Sequence, residues 1–174
     1  ALDCGIRSVE LVAYAKTKGI DFIICDHHLP GDEIPEAVAV LDPKRKDCTY
    51  PFKDLCGCGI GFKLIQAYAE TNKLDKNIIL KQLDLVTLAI ASDIVPIVGE
   101  NRILAYYGLR LINSSPRPGI AKLIEIAINK PQLSIGDLVF YVGPRINAAG
   151  RMHSALDAVS LLLQENADEA EKQA

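Results

Sequence analysis

Phe22-Ile23-Ile24-Cys25-Asp26-His27-His28 is an apolar run that ends in one carboxylate and two imidazoles. Such a run predicts a buried strand, and Pro30-Gly31 then turns the chain away from it. In open α/β sheets, ligands bind at the carboxyl edge of the strands, where this triplet lies. Two adjacent histidines directly after an apolar strand are seldom core filler. We therefore interpret Asp26-His27-His28 as part of a metal-assisted site that acts on phosphate.

Helix and strand patterns alternate on either side of this strand. Residues 9–16 have helical spacing, residues 20–25 and 36–41 are predicted strands, and Leu2-Asp3 ends an earlier strand. This alternation predicts an α/β fold with a mostly parallel sheet and flanking helices. From Gly59 onward the apolar periodicity is helical, so we expect a helix-rich second half.

The composition is that of an ordinary globular domain. The chain has 174 residues, of which 49% are hydrophobic and 24% charged, and its net charge is −3. Its apolar stretches are shorter than the ~20 residues of a membrane span, so we expect no membrane association. The five cysteines lack the spacing of a disulfide framework, which favours free thiols in a reducing cytoplasm. The acidic balance excludes non-specific coating of nucleic acid, but not phosphate binding through divalent cations.

Two further carboxylates occupy positions like that of Asp26. Asp3 lies two residues before Gly5, and Asp93 lies between an apolar helical pattern and Pro96. If Asp3 and His27 end neighbouring parallel strands, they lie within reach of one ion. A carboxylate and imidazole set without thiolates favours Mn²⁺ or Mg²⁺ over structural zinc. Each aspartate taken alone is also typical of a turn or a helix end, and that alternative stays open.

The run Gly143-Pro144-Arg145-Ile146-Asn147-Ala148-Ala149-Gly150-Arg151 is a second signal. We predict a loop or an irregular helix entry here, in which guanidinium groups bind phosphate and small residues allow close backbone approach. A structural loop with solvated arginines explains the composition equally well. Gly99-Glu100-Asn101-Arg102 is a weaker signal of the same kind.

Cys56-Gly57-Cys58-Gly59 contains two thiols, but structural zinc needs four ligands and the sequence has no second pair. The glycines instead favour a tight turn into the following helix, which would present backbone N–H groups at its start. We expect both cysteines to be small buried hydrophobic residues.

Taken together, these motifs resemble those of the DHH phosphoesterase superfamily. Asp26-His27-His28 resembles its signature, Leu2-Asp3-Cys4-Gly5 its second acidic motif, and Ala91-Ser92-Asp93-Ile94-Val95-Pro96 its fourth. Residues 99–102 and 145–151 are similar to segments of the bacterial single-stranded-DNA exonucleases within that superfamily. The resemblance extends over nearly the whole chain.

The resemblance implies a 5′-to-3′ exonuclease that hydrolyses phosphodiester bonds of single-stranded DNA in recombination and repair. It implies Mn²⁺ or Mg²⁺ as the cofactor of a two-metal site. The implied partners are single-stranded DNA and, among proteins, a single-strand-binding protein or a helicase.

The resemblance also implies a role for each motif residue. Asp3 would bridge two metal ions, and His27 and Asp93 would complete the ligands of one. His28 would face the scissile phosphate, with Asp26 orienting the neighbouring imidazoles. The residues that would contact DNA are Arg145, Asn147, Gly150, Arg151 and Arg102.

The first motif of the superfamily, an Asp-x-Asp-Gly on the first strand, does not occur in the sequence. We therefore expect residues 1–163 to be a partial DHH phosphoesterase domain without its first strand and first motif. Residues 164–174 would begin a helix that links to an absent C-terminal domain. We expect such a chain to bind metal weakly and to have little nuclease activity alone.

Two alternative functions stay open. One is a phosphohydrolase of small substrates, such as pyrophosphate, an oligonucleotide or a cyclic dinucleotide, which needs the metal motifs but not the segment 145–151. The other is a non-catalytic DHH-fold scaffold in a replication assembly. Scaffold relatives usually lose metal ligands, whereas the motif aspartates and histidines are present here.

Overall fold

The computed structural model of the protein describes residues 1–152 and 155–174, and of residues 150–152 it describes the backbone only. The fold is α/β, as the sequence predicts, with a small parallel sheet beside a larger helical half. The sheet contains β1 (Ile23–Cys25) and β2 (Ala39–Leu41), which pair in parallel.

The first residues of the chain extend this sheet on the other side of β1. Leu2 forms a parallel bridge with Cys25, and the N–H of Asp3 donates to the Cys25 carbonyl at 2.8 Å. Asp3 and His27 therefore lie at the carboxyl ends of neighbouring parallel segments. This is the arrangement on which the shared-ion prediction depends.

Both strands are shorter than the predicted segments 20–25 and 36–41. The first strand starts later than predicted because the end of helix α1 (Val9–Thr17) occupies the preceding residues. The N–H of Ile20 donates back to the Ala15 carbonyl at 3.1 Å, so the chain is still closing the helix where the strand was expected to start. The ladder is therefore confined to the residues nearest the site.

Helices make up most of the chain from residue 57 onward. They are α2 (Gly57–Thr71), α3 (Lys76–Leu80), α4 (Leu83–Asp93), α5 (Gly99–Ser114), α6 (Pro118–Ala127), α7 (Ile135–Asp137), α8 (Gly143–Met152), α9 (Ala155–Leu163) and α10 (Ala167–Gln173). A π-helical segment, Leu138–Val142, joins α7 to α8. Within the described ranges, no helix combines the length and the apolar character that crossing a bilayer requires.

Ser134 and Asn166 cap the helices α7 and α10. The Ser134 hydroxyl accepts a hydrogen bond from the Asp137 N–H, and the Asp137 carboxylate accepts one from the N–H of the cap residue. The Asn166 side chain accepts from the Asp168 N–H at 2.9 Å. Helices α3 and α4 are separate helices with only Lys81 and Gln82 between them.

The segment 142–150 is a helix, so the loop interpretation of it is wrong and the irregular helix entry is correct. Helix α8 continues directly from the π-helical segment. Pro144 is the second residue of α8, directly after the π-helical turn, and its fixed φ suits a helix. A proline and two glycines thus do not make this segment a loop.

Helix α4 lies at the centre of the helical half. Its side chains are apolar around most of its circumference: Val86 and Ile90 pack with α2 and α5, while Leu88 and Ala91 pack with the helices that follow. Residues Cys25, Leu55 and Ile60 connect this half to the sheet. Because α4 is fixed on all sides, its last residue, Asp93, has a defined position beside the sheet edge.

Candidate metal centre

Asp3 is held at the sheet edge by its backbone. Its φ of 62° lies in the left-handed region, which aspartate adopts more readily than most residues. Gly57, the first residue of α2, packs directly against it: a Cβ at Gly57 would lie 2.6 Å from the Asp3 Cα. Only glycine fits there, and the Asp3 carboxylate consequently lies at the positive end of the α2 dipole.

His27 is buried, and its Nε2 faces two carboxylates. Nε2 lies 3.1 Å from Oδ1 of Asp3 and 3.3 Å from Oδ2 of Asp93. It nevertheless makes no hydrogen bond within the described part of the chain, because neither carboxylate has the required geometry. An imidazole nitrogen and two carboxylate oxygens that converge without hydrogen bonding are arranged like ligands of a common cation.

Asp26 has the opposite environment, since both oxygens of its carboxylate are used. Oδ2 accepts from the Ile6 N–H at 2.9 Å, and Oδ1 accepts from the N–H groups of His27 and His28. Oδ1 also lies 2.7 Å from Nδ1 of His28. An ionised carboxylate can only accept, so Nδ1 carries the hydrogen. This leaves Nε2 of His28 to bind a metal through its lone pair or, in the imidazolium form, to donate a hydrogen bond to a phosphate oxygen.

The pKa values of the two aspartates are shifted in opposite directions. Burial raises the pKa of Asp3, and the nearby charge of Asp93 raises it further despite the two histidines. Burial also raises the pKa of Asp26, but the hydrogen bonds from Ile6, His28 and His27 outweigh it, so the net shift is downward. A cation between Asp3 and Asp93 would remove the repulsion that the first shift reflects.

The ligand atoms of Asp3, His27 and His28 all lie within 4.8 Å of one another, which makes them a group able to hold a metal ion. Asp93 adjoins this group through His27. The donors are carboxylate oxygens and imidazole nitrogens, and the buried Nε2 of His27 lacks any other described partner. These residues therefore fit Mn²⁺, and the carboxylates also suit Mg²⁺.

The cysteine pair does not belong to this group. Burial raises the pKa of Cys56 to about 12 and that of Cys58 to about 11, so both thiols stay protonated at neutral pH in the metal-free chain. Cys56 is buried and Cys58 half-buried, and Cys56 caps α2 by accepting from the Gly59 N–H. All five cysteines are free thiols.

The predicted DNA contacts lie in different places. Asn147 lies beside the candidate ligands Asp3 and Asp93, and its Nδ2 donates to the Ser92 carbonyl at 3.3 Å. Arg145 is exposed on α8 and donates to the Tyr141 carbonyl, and Arg102 is exposed on the first turn of α5. Within the described residues, neither arginine contacts the ligand group. Of Gly150 and Arg151 only the backbone is described, so the predictions of their DNA contacts lie outside what the structure describes.

A cleft of about 440 Å³ opens beside the candidate metal ligands. Asp3 and Asp93 line it together with Asn147 and mostly apolar side chains of α4 and α9. A larger cavity, about 900 Å³, lies between α2, α3 and α5, and Asp3, His27 and Asp93 are not among its lining residues. The candidate metal ligands therefore lie beside the smaller of these two cavities.

Asp42 is a buried carboxylate close to Asp26 and His27 that sequence reasoning missed. It lies directly after β2, it is 3% exposed, and its Oδ2 has no hydrogen-bond partner in the described structure. Burial raises its pKa, and it is close enough to Asp26 and His27 for their charges to act on it. The signal was available, because Asp42 follows a predicted strand and precedes Pro43 just as Asp26 follows a strand and precedes a turn.

Comparison with known proteins agrees with this geometry. Residues 1–90 match the DHH family, N-terminal domain. The chain belongs to the DHH family. This DHH-family chain is 44% identical over 181 residues to the single-stranded-DNA-specific exonuclease RecJ of Salmonella typhimurium, covering 97% of the chain and 31% of that protein. RecJ of Bacillus subtilis is 40% identical over 172 residues, covering 98% of the chain and 21% of that protein. The chain thus spans about a third or less of the length of these relatives.

Solved structures of RecJ contain the same architecture. The crystal structure of RecJ in complex with Mn²⁺ from Thermus thermophilus matches with a TM-score of 0.85 at 31% identity, over 99% of this DHH-family chain and 26% of that one. RecJ in complex with Mg²⁺ from the same organism matches with a TM-score of 0.75 at 28% identity, over 99% and 23% of the two chains.

Proposed function

We propose that the chain supplies part of the two-metal centre of a 5′-to-3′ exonuclease that hydrolyses phosphodiester bonds of single-stranded DNA. The observation that carries this proposal is the buried Nε2 of His27, which lies between the carboxylates of Asp3 and Asp93 without a hydrogen bond. Similarity to RecJ proteins, whose solved structures include Mn²⁺ and Mg²⁺ complexes, supports the choice of metal and substrate.

The chain's own residues then have separate roles. Asp3, His27 and Asp93 would hold metal, and Asp3 would be the ligand that two ions share. When bound, the metal ions neutralise charge on the phosphate and lower the barrier to attack by water. Asp26 fixes the tautomer of His28, so that Nε2 of His28 can act on the scissile phosphate.

DNA binding is assigned to the cationic segments. Arg145 and Arg102 are exposed, and no described carboxylate pairs with them, so their guanidinium groups are free to bind phosphate. We include Gly150, Arg151 and Asn147 in this set on the strength of their motif. A small-substrate phosphohydrolase would not need these side chains.

The proposal extends to the domain organisation, the cellular location and the partners of the protein. Residues 1–163 would form a partial DHH domain, and residues 164–174 would begin a helix that leads to a C-terminal domain. The protein would work in the cytoplasm in recombination and repair, with a single-strand-binding protein or a helicase as its partner. The chain without an Asp-x-Asp-Gly motif would have little nuclease activity.

Metal binding by the 174-residue chain tests the core of the proposal. Mn²⁺ is titrated into the chain and followed by the electron paramagnetic resonance signal of the free ion. We expect weak binding that His27→Ala reduces at least about tenfold, since a direct ligand is lost. The control is Asp47→Asn, which changes an exposed carboxylate paired with Arg45. Equal affinities of wild type and His27→Ala would refute the site.

Substrate choice is tested in a chimera in which this chain replaces the matching third of RecJ from Escherichia coli, to which it is 41% identical. We expect Mn²⁺-dependent release of nucleotides from single-stranded DNA, abolished by His27→Ala and reduced by Arg145→Ala. Cleavage of dinucleotides or pyrophosphate with none of single strands would favour the small-substrate enzyme. A folded chimera without any hydrolysis would favour the scaffold. Rapid degradation of single-stranded DNA by the chain alone would contradict the partial-domain proposal.

A further inference from the structure

Helix α8 is attached to the metal centre through one of its faces. A Cβ at Gly143 would lie 3.3 Å from the Cα of Ser92, so the two backbones are in close contact. One turn later, Nδ2 of Asn147 donates to the Ser92 carbonyl at 3.3 Å. Residues four apart lie on the same face of a helix, so this face of α8 touches α4 immediately before Asp93.

The end of α4 needs such a contact. The last carbonyls of a helix have no partner within it, and they are commonly satisfied by a glycine in the left-handed conformation that follows. Here Ile94 occupies that position with a φ of 55°, which is unfavourable for a β-branched residue. Such a conformation persists only where surrounding contacts hold it.

The surroundings of Ser92 are otherwise poor in hydrogen bonds. Its hydroxyl oxygen is buried and has no hydrogen-bond partner among the described residues. The amide of Asn147 is therefore a polar contact from outside α4 to the peptide that carries Asp93. Asn147 also lines the cleft that contains the Asp3 and Asp93 carboxylates, so it lies at the site without being a ligand.

We propose that Asn147 is a positioning residue of the metal centre. Its amide holds the Ser92 carbonyl, and through it the end of α4, so that the Asp93 carboxylate stays beside Nε2 of His27. This inference rests on the proposed function for the identity of the bound ion. It differs from the motif-based role of Asn147, in which the amide contacts DNA.

The separation of α8 into two faces supports this role. Arg145 lies two residues from both Gly143 and Asn147, which is about 200° around the helix, so it points away from the face that touches α4. Its guanidinium donates to Tyr141 and is exposed. One helix thus presents an arginine to solvent while its opposite face holds a metal-ligand segment in place.

The first test compares Mn²⁺ affinity of the 174-residue chain and its Asn147→Ala variant by the same titration. We expect about fivefold weaker binding, the loss that one ordinary side-chain hydrogen bond produces, with an unchanged circular dichroism spectrum. Asn129→Ala is the matched control, because Asn129 is an exposed asparagine outside the site.

Gly143→Ala should also weaken Mn²⁺ binding, since its Cβ would push α8 away from Ser92. Affinity within twofold of wild type for Asn147→Ala would overturn the proposal, and a selective loss of single-stranded-DNA binding would assign Asn147 to the substrate.

A second readout needs no metal, so failure of the metal proposal leaves this one testable. Amide hydrogen exchange of residues 91–95 is measured in the metal-free wild type and in Asn147→Ala. We expect exchange at least about threefold faster in the variant at the end of α4, with exchange in α2 unchanged. Equal exchange in both proteins would overturn the positioning role even if Mn²⁺ binds as proposed. Faster exchange in a variant of a chain that binds no Mn²⁺ would show that Asn147 stabilises the end of α4, while the proposal of a metal centre there would be wrong.

Discussion

The sheet edge has two sides that differ in how completely their polar groups are satisfied. On the closed side, Asp26 is 1% exposed and accepts hydrogen bonds from Ile6, His27 and His28. On the open side, Asp3 has a half-exposed carboxylate that faces Nε2 of His27 without hydrogen bonding to it. The two aspartates lie only a strand apart. Burial raises the pKa of both, but hydrogen bonds outweigh burial at Asp26 and lower its pKa, whereas the like charge of Asp93 raises the pKa of Asp3 further.

This difference separates a carboxylate that stabilises the fold from one that is suited to a ligand. Asp26 is poorly suited to bind a metal, because it is buried and both of its oxygens already accept hydrogen bonds. Asp3 gains little from its protein neighbours, so a cation would be its best partner. The adjacent positions of His27 and His28 let one backbone segment connect both sides.

Asp26→Ala should give the largest loss of stability and would test the closed side. It removes the acceptor of three buried or part-buried N–H groups and of the His28 imidazole. We expect the free energy of unfolding in urea to fall by about 3 kcal/mol in the absence of metal. Asp47→Ala, which removes an exposed carboxylate, should cost far less stability. A loss below about 1 kcal/mol for Asp26→Ala, or about the same as for the control, would show that the closed side does not stabilise the fold.

The sequence predicts the closed side well because its signals are local. An apolar run followed by a carboxylate, two imidazoles and a proline-glycine turn specifies both the strand and the position of Asp26 at its end. The same reasoning finds Asp3 and Asp93, since each lies next to a chain breaker. It would also have found Asp42 had it been applied to the end of the second strand.

Contacts between distant segments are what the sequence does not specify. The hydrogen bond from Asn147 to Ser92 joins residues 55 positions apart, and the packing of Gly57 against Asp3 joins an edge strand to a helix. Neither has a periodic signature, because each depends on how α4 and α2 are placed by the core. The helical state of the segment 143–152 is likewise set by its continuation from the preceding π-helical segment and by contact with Ser92.

Gly57→Ala should have the second largest effect and would connect the two sides of the comparison. The added methyl group would overlap Asp3, so either α2 or the edge segment must move. We expect a loss of about 2 kcal/mol in the free energy of unfolding together with weaker Mn²⁺ binding. Gly136→Ala is the matched control, because its Cβ would meet nothing closer than 3.7 Å. Unchanged stability and metal affinity in Gly57→Ala would mean that Asp3 does not depend on α2 for its position.

Asp3→Asn should change metal-free stability least, and it would test the open side most directly. Asparagine also tolerates the left-handed backbone of this position, so the local conformation is kept. We expect the free energy of unfolding at neutral pH to stay within about 0.5 kcal/mol of wild type, while Mn²⁺ affinity falls at least about tenfold. A large loss of stability would instead place Asp3 with Asp26 as a structural carboxylate.

The pH dependence of the free energy of unfolding should differ in sign between the two aspartates. Because the folded-state pKa of Asp3 is raised above its ordinary value of 3.8, protonation favours the folded chain. In the presence of chelator, wild type should therefore lose stability relative to Asp3→Asn as pH rises from 3.8 through that raised pKa. The pKa of Asp26 is lowered, so wild type should keep its advantage over Asp26→Asn above 3.8 and lose it as pH falls through the lowered pKa. Urea unfolding across about pH 2.5 to 7 measures both differences, and slopes of the same sign would remove the distinction between the two sides of the sheet edge.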